Sequence, residues 1–491
     1  MGSSEDANKL IFNGLNGATG EYWFPSLRPD LVAKVAQGER IDPVDLAELM
    51  HRVAASEEAT LAVVPGVDRN SLAEAGWGVI FPHDVDPSVP EALEPLLAHR
   101  EAQVSAGSPT RFRSFIGPDA QRPDESHRSF LIRHGVLPEN PVDPDKVPYY
   151  LLIVGDPERI PFRFQYGLDV SYAVGRIAFD QPEQYASYAA SVIRSETEPP
   201  RDRRVAFFAA RNPDDKATPL SADHLVLPLA SRLRDRFGSR VITANVGDGT
   251  ADGVQGAATK EDLRDLLRGP DTPGLLFSAT HGMAFPMGDP LQLAHQGALI
   301  CQDWPGPRQW GRQPITEDLY LSGDDVGDTA PSGMLAFLFA CYGAGTPPTD
   351  DFVSQASGEP APIAPHAFLG RLPQQLLGHA AGGALAVVGH VERAWSYSFL
   401  WPRLGEQLDV FDGALSALLS GAPLGSAVEY FNDRYASLTA ELDLAKEDLK
   451  YGASGDPVGL SGMWTAKNDA RNYVILGDPA VRITGFDERR Q

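Results

Sequence analysis

Continuously apolar runs separated by single helical patterns constrain this chain most. From Tyr149 onward it carries YYLLIV, RVAFFAA, RVITANV, LLFSAT, MLAFLFA, ALAVVG and NYVILG. Between them lie stretches of helical spacing at residues 182–196, 224–237, 260–268 and around 368–381, and a long one at 426–452. A strand apolar on both faces must be covered on both faces, which indicates a parallel sheet with a helical layer on each side. The expected fold class is α/β, a three-layer, parallel-dominated sheet sandwiched by helices. Sites on such sheets form beyond the carboxyl ends of the strands.

Composition narrows the functional classes. A chain of 491 residues with 43% hydrophobic content can bury a large core. Its net charge of -24 opposes a nonspecific grip on phosphate backbones or anionic lipid, so neither nucleic acid nor a membrane surface is an expected partner. Cys301 and Cys341 are the only cysteines, too few for a disulfide framework or a cysteine-rich zinc site. No signal-peptide pattern and no apolar run near the ~18 residues of a membrane span is visible, so a cytoplasmic, reduced protein is expected. No metal or cofactor motif appears, and none is expected.

Three regions divide the chain. Residues 1–145 are punctuated by Pro and Gly, with strand-like ATLAVVPG and WGVIFP, and with a stretch at 108–147 that lacks periodicity and reads as a connector wrapped over the surface. This region is expected to be a recognition or inhibitory module, or the first part of the sheet. Residues 146–270 begin the alternating pattern, and 271–491 continue it. Within the last part, residues 283–332 form a long loop rich in Gly, Pro and Trp, of a length that is usually functional.

The chemistry concentrates at two strand ends. LLFSATHGM places His281 and Gly282 after one apolar run, and GMLAFLFACYGAG places Cys341 after the next. A thiol is a weak nucleophile near neutral pH, and a nearby imidazole raises its thiolate fraction. Either residue alone has an ordinary structural reading. Together, on successive strands of one sheet, they point to a cysteine hydrolase. Cys301, inside the long loop with no His-bearing strand end beside it, reads as structural.

With these residues in view, the chain resembles the clan CD cysteine peptidases, the caspase-like group, and most closely the gingipain-like (peptidase C25-like) branch. The resemblance runs through YLLIVGDPERIPF, VGRIAFDQPEQYASYAASVIRSE, THG, YLSGDDV, FACYGAG, GGALAVVGHVERAW and VILGDPAVRI, in that order, over about two-thirds of the chain. It implies a caspase-like α/β fold and hydrolysis of peptide bonds through a thioacyl intermediate, with Cys341 as nucleophile and His281 as acid/base. It also implies an oxyanion hole formed by the N–H groups of Gly282 and Cys341. A residue without Cβ beside the reacting carbonyl permits the close approach that this role needs. In this clan the imidazole need not pair tightly with the resting thiol.

The same resemblance points to a carboxylate that binds a basic P1 side chain, and Asp169, in YGLDVSYAVGR, occupies the corresponding place. Asp350 and Asp351 compete for that role. Arg393 and Arg371 would serve an acidic P1 instead. Asp156 and Glu158 are candidates to orient His281, although Asp156 also has the position of a turn-fixing residue. His390 ends a strand and is expected to be structural. The expected activity is a regulated cysteine endopeptidase acting on peptide or protein after a basic residue, with an activating or inhibitory protein as a second partner. Two other readings stay open: a noncatalytic caspase-like binding scaffold, and a cysteine acyltransferase or amidase.

Overall fold

The computed structural model describes residues 63–483, apart from 65, 106–107, 139, 200–203, 239–240, 248–253, 270–271, 312, 328, 352–353, 355–358, 402–404 and 451–456. The short helical readings before residue 56 and most of ATLAVVPG lie outside the described residues; Val63 forms an isolated bridge with Val142. One sheet of eleven strands organises the rest. In chain order these are β1 (Trp77–Ile80), β2 (Phe112–Phe115), β3 (Tyr150–Val154), β4 (Ala173–Ile177), β5 (Val205–Ala209), β6 (Val241–Val246), β7 (Val254–Gly256), β8 (Leu275–Ala279), β9 (Leu335–Phe339), β10 (Ala386–His390) and β11 (Tyr473–Gly477). Across the sheet they run β2-β1-β3-β4-β11-β10-β9-β8-β5-β6-β7.

Every pairing in this sheet is parallel except β10 with β11. That single seam reverses one half of the sheet against the other. His390, the last residue of β10, faces Tyr473, the first of β11. The carboxyl ends of β8, β9 and β10 therefore share a rim with the amino ends of β11, β4 and β3.

Helices cover the sheet. One group joins α1 (Ser88–Val104) to α3 (Pro182–Thr197), and another joins α4 (Leu227–Phe237), α5 (Asp409–Leu419), α6 (Leu424–Lys450) and α7 (Pro457–Asn472). A shorter helix, α2 (Phe162–Asp169), links β3 to β4. The strands β1, β3, β4, β5, β8, β9, β10 and β11 are buried along their whole length, which is why their sequences are apolar without alternation. This is a three-layer α/β arrangement, as the apolar runs require.

Local differences from the sequence reading have physical causes. The stretch at 108–147 is not a plain surface connector: Phe112–Phe115 pairs along β1, and His127–Arg133 is helical with Ser126 capping it. Edge strands this short leave little periodicity to detect. The helix expected around 368–381 is confined to Arg371–Leu377, while Phe368–Leu369 pairs antiparallel with Gly345–Thr346. The long loop at 283–332 is folded. It carries the antiparallel pair Leu299–Ile300 and Tyr320–Leu321 and a small core of Met283, Ala298, Ile300, Trp304, Leu319 and Tyr320.

The two ends of the described chain are locked together by a buried carboxylate. Asp478, fully buried after β11, accepts from Trp77 Nε1 at 3.0 Å and from Arg100 Nε at 2.7 Å. Arg100 also donates to both oxygens of Glu196 on α3, at 2.8 and 2.7 Å. Removing Asp478 takes one of two carboxylate partners from a buried guanidinium and the acceptor from the Trp77 indole N–H. Asp478→Ala is expected to destabilise the protein by about 3–5 kcal/mol, measured as a lowered urea midpoint with an unchanged slope.

Candidate functional site

β8 and β9 pair in register, Leu275 with Leu335 through Ala279 with Phe339. Two residues beyond that last pair stand His281 and Cys341. Thr280 N–H donates to Phe339 O at 3.2 Å, which carries the alignment one step past the strands. A Cβ placed on Gly282 would lie 1.8 Å from the Cys341 carbonyl oxygen. Only glycine allows the two backbones to come this close. Imidazole and thiol thus rise from adjacent chain segments on one rim, and both are partly exposed.

The two side chains lean apart. His281 Nε2 meets Asp215 Oδ2 at 3.0 Å, on the loop after β5. Cys341 Sγ lies on the other side, against the loop after β10, where Ala394 N–H donates to it at 3.4 Å. Among the described residues no hydrogen bond joins the thiol to the imidazole. Burial pushes the Cys341 thiol above its ordinary value, although the Ala394 amide and the Arg393 charge pull it down. The resting side chain is a neutral thiol.

Asp215 is the functional neighbour that sequence reasoning missed. Burial alone would raise its carboxyl, yet hydrogen bonds from His281 and from the Thr218 amide and hydroxyl outweigh burial and hold it well below the usual carboxylate range. Its signal was a polar turn, NPDDK, directly after an apolar strand. Asn212 of the same turn donates to the carbonyls of Cys301 and Trp304, tying it to the folded loop at 283–332. Trp304 in turn stands edge-on to His281, ring centroids 6.4 Å apart.

Asp156 and Glu158 do not orient His281. They follow β3, whose carboxyl end is on the opposite rim because of the antiparallel seam. Asp156 instead fixes its turn by accepting from the amides of Glu158 and Arg159, both at 2.9 Å. His390 is fully buried and meets Asp469 Oδ1 at 3.1 Å. Cys301 is fully buried in the core, and burial drives its thiol far up.

Several of the remaining charged candidates lie around the loop after Cys341. Tyr342, directly after Cys341, has φ 59°, a left-handed conformation unusual for a side-chain-bearing residue and typical of functional turns. Its N–H donates to Glu392 O at 2.8 Å. Asp350 is buried and gripped by both terminal nitrogens of Arg393, and Asp351 accepts from Arg471 at 2.6 Å. Burial, with Asp351 and Asp350 nearby, pushes the Glu392 carboxyl up to about 7 despite Arg393. Arg371 pairs with Asp180. Asp169 ends α2 near the start of β4, on the same rim as Cys341. Burial holds its carboxyl well above the carboxylate range, even though the Val174 amide and the Arg176 charge pull it down. Two strands separate β4 from β9, roughly 14 Å at about 4.8 Å per strand.

No protein-family model matches this chain, and no curated protein matches it. Among solved structures, a protease structure is 11% identical, with 83% of this chain and 78% of that one covered at a TM-score of 0.46. The complex of the pro- and mature domains of RgpB from Porphyromonas gingivalis is 13% identical, with 83% and 80% covered at a TM-score of 0.41. Likeness at this level carries no chemistry across, so the site stands on its own geometry. The tightest element of that geometry is testable. Gly282→Ala is expected to cost about 1–3 kcal/mol or more through the clash with Cys341. Gly327→Ala, where nothing lies within 4 Å of an added Cβ, is expected to stay within about 0.5 kcal/mol; thermal melts of the two variants compare them.

Proposed function

We propose that this protein is a cysteine endopeptidase that cleaves peptide bonds after a basic residue, with Cys341 as nucleophile and His281 as acid/base. The observation that carries this reading is the register-matched pair of strand ends, with Gly282 against the Cys341 carbonyl and His281 held by an ionised Asp215. A carboxylate at Nε2 favours the tautomer that keeps its proton there, so Nδ1 is left to exchange protons with substrate.

The sequence of events follows from the separation of the side chains. Substrate enters between thiol and imidazole, and Sγ attacks the scissile carbonyl as the thiol's proton passes to His281 Nδ1. The oxyanion is received by the N–H groups of Gly282 and Cys341, neither of which donates to a backbone carbonyl among the described residues. His281 protonates the leaving amine, the C–N bond breaks, and a thioacyl enzyme remains. Water then adds to the thioacyl carbon, giving its proton to His281, and the C–S bond breaks to release the acid and the thiol.

Asp169 is the carboxyl proposed to receive a P1 guanidinium or ammonium. Asp350 and Asp351 already have arginine partners, while Arg176 beside Asp169 directs Nε to Gln165 and Nη1 to the Gly155 carbonyl and leaves Nη2 without a partner among the described residues. An arriving cation would ionise the buried acid and pair with it.

A P1-scanning peptide library tests the assignment. Cleavage after Arg or Lys is expected, lost by on the order of 10³-fold in Cys341→Ala. Asp215→Asn is expected to lower kcat on the order of 10²-fold with little change in KM. Asp169→Ala should abolish the basic preference and leave thiol reactivity intact. Acyl transfer to added amines in place of hydrolysis would favour the transferase reading, and failure to cut any peptide would favour the scaffold. Independently of substrate, iodoacetamide is expected to label Cys341 but not Cys301 in the native protein, and both after denaturation. The labelling rate should keep climbing as pH rises past the ordinary thiol range, because the folded thiol binds its proton more tightly than a free one.

A further inference from the structure

Besides Cys341's own N–H, the amide that reaches the sulfur is Ala394 N–H, so whatever sets the conformation of the loop after β10 also sets the environment of the proposed nucleophile. That loop, Glu392 to Ser398, would be free to rotate its peptide planes if its N–H groups found no fixed partners. Ser398 N–H is held within the turn by Trp395 O, and one buried group fixes the peptide beside Ala394. Asp469 on α7, 1% exposed, accepts from Trp395 N–H at 2.8 Å through the same Oδ1 that meets His390 Nε2 at 3.1 Å, and its Oδ2 accepts from the Ser398 hydroxyl. Three elements are thereby pinned to one carboxylate: the end of β10, the peptide next to Ala394, and the turn at Ser398. Arg434 on α6 closes the far side by donating to Ser398 O at 2.6 Å.

We propose that Asp469 is a positioning residue for the proposed reaction, holding the 392–398 loop so that the Ala394 amide points at Cys341 Sγ and stabilises the thiolate as it forms. It touches neither substrate nor sulfur. The inference rests on the reading of Cys341 as a nucleophile. Two opposite effects of Asp469 on the thiol make it separable from a charge effect. As a nearby anion it disfavours the thiolate, while the amide that it aims favours the thiolate; Arg393 is the other charge acting on the sulfur. Removing the charge alone should ease ionisation. Removing the acceptor should hinder it.

The experiment uses the full chain and the pH dependence of Cys341 alkylation by iodoacetamide, with the labelled peptide identified by mass spectrometry. Asp469→Asn retains an oxygen for the Trp395 N–H and is expected to keep the wild-type alkylation midpoint or move it lower. Asp469→Ala loses both acceptor and charge, and its midpoint is expected to rise by about one pH unit, a five- to tenfold slower reaction at pH 8. Ala394→Pro deletes the donor itself and is expected to give the same rise. Thermal melts establish that each variant folds; if Asp469→Ala does not, Asp469→Ser, too short to reach the Trp395 amide but polar toward His390, takes its place with the same expectation. A lowered midpoint in the acceptor-free variant, as in Asp469→Asn, or an unchanged one in Ala394→Pro, would overturn the inference. If wild-type Cys341 resists alkylation at every pH, the nucleophile reading fails as well; if it reacts and the variants match it, only the role of Asp469 falls.

Discussion

The backbone contact between Gly282 and Cys341 is the constraint on which the rim depends. Strand pairing brings the ends of β8 and β9 side by side, but side chains would normally hold the following loops apart. With no Cβ at residue 282, the His-bearing and Cys-bearing segments meet at their main chains. Their side chains then diverge, one toward the Asp215 turn and the other toward Ala394. The gap between them is a consequence of the contact beneath it, and it leaves amide hydrogens at the base where a carbonyl oxygen can rest.

Electrostatics on the two sides of that gap differ in kind. On the histidine side a single carboxylate is kept ionised by neutral donors and the imidazole. On the cysteine side, carboxylates and guanidiniums alternate: Asp350 with Arg393, Asp351 with Arg471, and Glu392 crowded between them. Burial is the main reason the sulfur holds its proton tightly, and of these charges only Arg393 acts on it directly, in the opposite sense.

Much of this was legible in the sequence. Strands buried on both faces announce themselves as unbroken apolar runs, and the seven runs from YYLLIV to NYVILG all became strands of the one sheet. The His-Gly and Cys strand ends stood out for the same reason. Strand order and direction did not, because an apolar run reads alike whichever way it enters a sheet. Asp156 was a plausible neighbour of His281 only so long as β3 was taken to run the same way as β8. The reversal at β11 moves it to the far rim and brings Asp169 to the near one. Asp215 was hidden for a related reason: it precedes His281 by 66 residues, and only the sheet makes β5 and β8 neighbours. The edge strand at Phe112–Phe115 escaped because four residues are too few to show a period.

β11 is the last strand of the sheet in the chain, yet it lies between β4 and β10 in the middle of it. During synthesis, the half that carries β1 to β4 and the half that carries the thiol have no shared seam until residue 477 has emerged. Its insertion must close pairings with residues some three hundred positions earlier, a step of high loop-closure cost. A nascent chain thus has Cys341 translated long before the two halves of the rim around it are joined.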